Sequence, residues 1–160
     1  MRSHAKPKAT AQIDASRCSA TLLRKASRRL SQLYDDALAP AGLTATQFAL
    51  LVEIARRPEQ PPTLTELAAA MVMDRSGLGH GLRPLERDGL IALKEGDPDR
   101  RRRHIVLTPK GNGVLRRAHL LWKKAEARFV GVLGAADVAE FQSRLRAIAH
   151  DDRLTSPKKT

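Results

Sequence analysis

One stretch restricts this chain more than any other. Leu90-Ile91-Ala92-Leu93 is followed by Gly96-Asp97-Pro98-Asp99, then by four consecutive arginines, Arg100 to Arg103, and then by His104-Ile105-Val106-Leu107-Thr108. β-Forming residues on both sides of a Gly, Asp and Pro cluster predict a two-stranded ribbon turning at 96–99. Upstream, residues 63–89 read as two helices with a tight break. Thr63 is placed to cap the first, with Glu66 three residues on completing a capping box, and Leu64, Leu67 and Ala68 form its apolar stripe. Val72-Met73 makes the break, and Asp74 is a good N-cap for the second helix. Two helices and a ribbon in this order predict a winged helix-turn-helix over residues 44–108. Four arginines beside its ribbon tip point to a polyanionic partner.

The second helix has two distinct faces. Leu78, Leu82 and Leu85 fall at i, i+4 and i+7 and must face the core. At 100° per residue, Ser76, His80, Arg83 and Arg87 lie on the opposite side, with Arg75 in the first turn. Hydroxyl, imidazole and guanidinium groups on an outward face suit a helix laid in the major groove of double-stranded DNA. A merely solvated face accounts for these residues equally well when they are taken alone. The arginine-bearing wing beside them favours DNA.

The charge agrees. The 160 residues carry a formal net charge of +12 with a pI near 10.8, the footprint of a nucleic-acid binder. It is unevenly spread: residues 1–34 hold eight Lys or Arg against one acid, whereas 74–110 hold nine bases against six acids. The wing is thus a local spike. The segment 1–13 is expected to be a flexible basic arm, which either adds phosphate contacts or only solubilises. Residues 154–160 are expected to be a polar tail.

The length fits one domain, expected over 14–153. Aromatic residues make up only 3% of the chain, so its core must be aliphatic and helical. A long first helix is predicted over 14–39, ended by Pro40 and Gly42, with Leu23, Ala26, Leu30, Leu33 and Ala37 stepping by three and four. Thr44 with Gln47 opens the next helix, which turns Phe48, Leu51, Ile54 and Ala55 inward; the proline-rich 58–62 links it to the winged helix. Thr108-Pro109 starts a helix reaching about Leu133 with Val114, Ala118, Leu121, Ala125 and Val132 on one face. A final helix over 136–150 carries Val138, Phe141, Leu145 and Ile148. The helices of 14–39 and 109–150 offer more apolar seam than one module covers. A two-fold homodimer would bury it and set two recognition helices about one DNA turn apart. The fold class expected is therefore mainly α with a small β-wing, a winged helix-turn-helix flanked by N- and C-terminal dimerisation helices.

Several of these segments resemble the MarR family of transcription regulators. The wing signature is Asp99-x-Arg101 followed by five residues and Leu107-Thr108, and three flanking segments are also similar: Asp74-Arg75-Ser76-x-Leu78, Leu82 to Leu90, and Leu107 to Gly111. Weaker similarity extends over about 19–150. The resemblance implies dimerisation through the terminal helices and makes the second helix the recognition helix, on which the outward face gives Arg75, Ser76, His80, Arg83 and Arg87 as the candidate DNA contacts. On the wing the signature implies a contact from Arg101, oriented by Asp99, and the arginine run itself adds Arg100, Arg102 and Arg103 as candidate DNA contacts. The resemblance also implies repression relieved by a small aromatic or phenolic effector bound between the dimer helices and the winged helix. Tyr34, Phe48 and Trp122 could line such a pocket or simply pack the core. One departure stands out. Gly77, Gly79 and Gly81, with Pro84 beyond, occupy the recognition helix where relatives commonly carry Thr and Asn. Either the backbone approaches phosphates closely there, or base readout is lost and the protein binds DNA with low specificity.

Other chemistry has little support. Gly77-Leu78-Gly79-His80-Gly81 would need a preceding strand to cradle a dinucleotide, and what precedes it is helical. The five histidines lack metal-ligand spacing. Neither an enzyme activity nor a cofactor or metal is expected. The single cysteine, Cys18, excludes an intrachain disulfide and a cysteine-based zinc site. It sits beside Arg17, which could lower its pKa. Peroxide-sensing relatives carry a reactive cysteine near this point, although the match is two residues off and the partner tyrosines are absent, so Cys18 is either a redox switch or inert. No apolar run approaches the 18 or so residues of a membrane span, and Met1–Ala11 lacks the apolar stretch of a secretory signal. A cytoplasmic protein is expected.

Overall fold

The computed structural model describes residues 17–96 and 102–154. Asp97, Pro98, Asp99, Arg100 and Arg101, expected at and beside the ribbon turn, lie outside the described residues.

The chain runs through helix α1 (Ser19–Leu38), α2 (Ala45–Ala55), α3 (Leu64–Ala70) and α4 (Arg75–Arg87). Strands β1 (Ile91–Glu95) and β2 (Arg103–Leu107) follow, then α5 (Pro109–Leu133) and α6 (Ala135–Ala149). The described part of the first helix opens at Ser19 with Cys18 as its N-cap, rather than at 14, and Pro40 sits in a 3-10 turn over Ala39–Ala41 that closes it.

The helix starts are built from their own side chains. Thr44 Oγ1 accepts the Gln47 amide at 3.2 Å while Gln47 Oε1 accepts the Thr44 amide at 2.9 Å, a complete capping box on α2. Asp35, reaching across from α1, accepts the Ala45 amide at 2.6 Å. Thr63 and Glu66 make the same box on α3. After α3 the chain reverses at Val72, whose φ of 52° is left-handed, and Asp74 Oδ1 caps α4 by accepting the Gly77 amide at 2.7 Å.

Helix α4 is continuous for 13 residues despite its three glycines and internal Pro84. Intrinsic propensity disfavours it by about 1 kcal/mol per glycine and about 3 for the proline. Its buried leucines, Leu78, Leu82 and Leu85, each contribute about 1.5–3 kcal/mol on burial, enough to offset that cost. Packing, not propensity, makes this helix.

Those leucines join Leu38, Leu43, Phe48, Leu50, Leu51, Ile54, Leu67 and Ile105 in one core that continues into α5 at Val114 and Ala118. Leu64, expected on the inward stripe of α3, is 38% exposed. Leu50, not expected inward, is fully buried.

The ribbon is antiparallel, with Ile91 opposite Leu107, Leu93 opposite Ile105 and Glu95 opposite Arg103. It is anchored at both sides of its base. The Ile105 amide donates to the Pro62 carbonyl at 2.8 Å, so the proline link lies along β2. At the other side the Thr108 hydroxyl donates to the Gly89 carbonyl at 2.7 Å and its amide to the Leu90 carbonyl at 3.0 Å. Lys110 Nζ donates to the Asp88 carbonyl at 2.7 Å. The start of α5 is thereby fastened to the end of α4.

Candidate nucleic-acid interface

The two faces of α4 separate as the leucine spacing requires. Leu78, Leu82 and Leu85 are buried, and Ser76, His80, Arg83 and Arg87 are exposed. The arginines differ in their surroundings. Arg75 Nη2 donates to Thr65 Oγ1 at 2.8 Å, tying α4 to α3. Arg87 pairs with the adjacent Asp88 at 3.0 Å, an exposed contact worth little in water. No hydrogen bond or ion pair among the described residues engages Arg83. A guanidinium in that state presents all its donors to whatever lies outside.

On the wing, Arg102 and Arg103 are exposed, and Arg102 borders a groove that also holds Glu66 at the start of α3. The Thr63 amide and hydroxyl hold the Glu66 carboxyl below the usual carboxylate range, and Arg102 and His104 add a smaller pull. The sequence assigns His104 no role. In the fold its Nδ1–H donates to the Pro61 carbonyl at 2.6 Å, so it pins β2 to the proline link. No local signal in the sequence marks that contact, because its partner is 43 residues away.

The three aromatic residues expected to line a pocket come together. Tyr34 from α1, Phe48 from α2 and Trp122 from α5 border one cavity of about 400 Å³, with Met71, Glu53 and Arg56 completing it. Phe48 stacks on Trp122 at 6.1 Å between ring centres, and His119 stacks on the same indole at 5.5 Å. The cavity lies where the terminal helices meet the winged helix. Tyr34 Oη donates to Glu126 Oε2 on α5, and Glu126 Oε1 accepts from Gln142 on α6 at 3.1 Å, so one carboxylate joins three helices.

Comparison with known proteins matches this arrangement. The MarR family model matches residues 41–102. The transcriptional regulator HosA of Escherichia coli O157:H7 is 30% identical over 133 residues, covering 79% of this chain and 96% of HosA. The chain belongs to the MarR family. The solved structure of the Mycobacterium tuberculosis transcriptional regulator MosR in complex with DNA is 35% identical with a TM-score of 0.66, covering 82% of this chain and 98% of MosR. That of the transcriptional repressor CouR of Rhodococcus jostii RHA1, bound to a 23-mer DNA duplex, is 28% identical with a TM-score of 0.77, covering 89% and 100%. The protein is a DNA-binding transcriptional regulator of the MarR type, built as a winged helix between terminal helices.

Two features of this MarR-family chain lie apart from the DNA face. Cys18 is exposed at the N-cap of α1, and the Thr21 hydroxyl and the Thr21 and Ala20 amides lower its thiol pKa. Arg17, the neighbour that the sequence suggested, is not the cause. Among the described residues no group of His, Cys, Asp or Glu is arranged to hold a metal ion, and no single helix is long and apolar enough to cross a membrane.

The Tyr34 phenol is pushed above its ordinary value, first by burial and then by Glu126. A folded pKa above the unfolded one stabilises the fold below the unfolded value of about 10, and that contribution is lost as pH rises beyond it. Tyr34 is the only tyrosine, so its absorbance can be followed alone. Phenolate absorbance in the native protein is expected to appear at higher pH than in urea-unfolded protein. Tyr34→Phe should lose less stability than wild type on moving from pH 9 to above 10. Coincident native and unfolded titrations would show that the Glu126 contact is not made.

Proposed function

We propose that the protein is a homodimeric, sequence-specific repressor that acts in the cytoplasm and leaves its operator when a small aromatic or phenolic ligand occupies the Tyr34–Phe48–Trp122 cavity. Residues 14–153 act as one domain, with 1–13 as a basic arm and 154–160 as a tail. The observation that carries the reading is the exposed face of α4, on which Ser76, His80 and the unengaged Arg83 point away from a fully buried leucine stripe. In the proposed complex this face enters the major groove. Arg100, Arg102 and Arg103, with Arg101 carried over from the family signature, hold the flanking backbone, and Asp99 of the same signature orients the Arg101 guanidinium. Repression and DNA engagement are supported by the likeness to CouR, described as a repressor on duplex DNA.

Dimerisation is supported by what the terminal helices leave uncovered. Leu22 and Leu23 at the start of α1, Val132 and Leu133 at the end of α5, and Ile148 on α6 are all at least 44% exposed. A groove runs between α1 and α5 with Leu30, Leu33, Phe129, Val132 and Leu133 as its apolar lining and Arg29, Gln32, Asp36 and Arg128 beside them. A second copy would cover it.

Selecting a duplex from a randomised pool tests the reading. The selected duplex should bind roughly 10³-fold or more tighter than random sequence at physiological salt. Arg83→Ala should cost about 1–3 kcal/mol on the selected duplex and less on random DNA. Equal losses on both duplexes would instead mean that the helix positions without reading bases, which is the low-specificity alternative that the glycines raise.

A further inference from the structure

The three glycines of the recognition helix are not equivalent. A methyl group at Gly79 would meet nothing within 4 Å, and one at Gly77 would rest 3.5 Å from the Asp74 carboxylate, an ordinary contact. At Gly81 it would lie 3.0 Å from Cδ1 of Leu50. Leu50 is fully buried in the middle of α2 and has little freedom to withdraw. Gly81 flanks the Leu78–Leu82–Leu85 stripe, so it belongs to the packed side of α4 and not to its outward face. The absence of a side chain there determines how closely α4 sits on α2.

Helix α2 also carries the cavity. Phe48, Ala49 and Val52 line it, and at 100° per residue they lie away from the direction of Leu50. One face of α2 therefore borders the proposed ligand cavity and the other seats the recognition helix.

We infer that Gly81 is a positioning residue for DNA reading: by admitting Leu50 it sets the seat of α4 on α2, the helix whose other face borders the cavity. The inference rests on the proposed function. It assigns Gly81 to helix seating and not to close approach of backbone to phosphate. A side chain at 81 would tilt or lift α4 by a few tenths of an ångström. Base-edge hydrogen bonds with narrow distance and angle ranges would be misaligned, while non-directional phosphate attraction would persist.

The test is a cycle of Gly81→Ala, Leu50→Val and the double variant, measured on the selected duplex, on random duplex and by urea unfolding. Alanine is the better helix former, so Gly81→Ala is expected to remain folded. It should weaken the selected duplex by about tenfold, the equivalent of one base contact, and random DNA by less than about twofold. Leu50→Val in the same chain removes the δ carbons and should recover most of that loss. Gly79→Ala, which meets nothing inside the protein, serves as the comparison and should show no recovery by Leu50→Val, whatever its own effect. Unchanged binding by Gly81→Ala would overturn the inference. So would equal loss on both duplexes without recovery by Leu50→Val, the result expected if Gly81 approaches a phosphate. A wild type that selects no duplex overturns the proposed function and this inference together, whereas a discriminating wild type with an unresponsive Gly81→Ala overturns the inference alone.

Discussion

Gly111→Ala is expected to lower unfolding stability by about 3 kcal/mol or more, the upper end of what overpacking a well-filled site costs. A Cβ at this position would lie 1.9 Å from the Leu90 carbonyl oxygen and 2.9 Å from its carbon. Those atoms are backbone, so no rotamer change relieves the overlap. The carbonyl cannot retreat easily either, because it accepts from the Thr108 amide at 3.0 Å and from the Thr108 hydroxyl at 3.3 Å. Alanine's better helix propensity returns only about 1 kcal/mol. Gly113→Ala is the natural comparison, since its methyl would meet only the flexible end of Arg117, at 3.9 Å. That variant should be neutral or up to about 1 kcal/mol more stable. Urea midpoints of both variants measure the difference, and an unchanged midpoint for Gly111→Ala would show that α5 does not press on Leu90. DNA binding should fall with stability, because the same contact roots the wing.

Leu30→Asp is expected to separate the proposed dimer. Leu30 belongs to the apolar lining, with Leu33, Phe129 and Val132, of the groove between α1 and α5. An aspartate at that point would carry its charge into the aliphatic part of the groove once a second copy closed over it, and the nearby Arg29 and Arg128 would offset only part of its desolvation. The penalty is about 3 kcal/mol or more, which weakens association roughly a hundredfold or more. Because Leu30 is only half-buried within one chain, the variant is expected to keep its helical circular dichroism while sedimenting as a 17.6 kDa species. It should then bind a duplex carrying two half-sites no better than one carrying a single half-site. A wild type that sediments only at 17.6 kDa would remove the basis for the homodimer and for the half-site spacing.

The sequence by itself determined the parts of this protein whose causes lie within about one helical turn or one hairpin. Thr44 with Gln47, Thr63 with Glu66, Asp74 and Thr108 each start a helix by bonding an amide three residues on, and each is where the sequence placed it. The Leu78, Leu82 and Leu85 spacing oriented α4, and residues 91–107 paired as a ribbon because β-formers flank a turn cluster. The family segments around Arg101 and Leu82–Leu90 were also readable, although Asp97–Arg101 themselves lie outside the described residues. Tertiary structure alone decided the contacts between residues far apart in the chain. His104 meets Pro61, Tyr34 meets Glu126, Gly111 meets Leu90, and Gly81 faces Leu50. Glycine in a helix reads locally as a cost of about 1 kcal/mol, and only the packed neighbour shows what the missing methyl makes room for. The same holds for the arginines: local spacing put Arg75, Arg83 and Arg87 on one helix, but Thr65 and Asp88 engage two of them and leave Arg83 facing outward. Periodicity fixes the direction of a side chain from its own helix, whereas its partners depend on where the other helices pack.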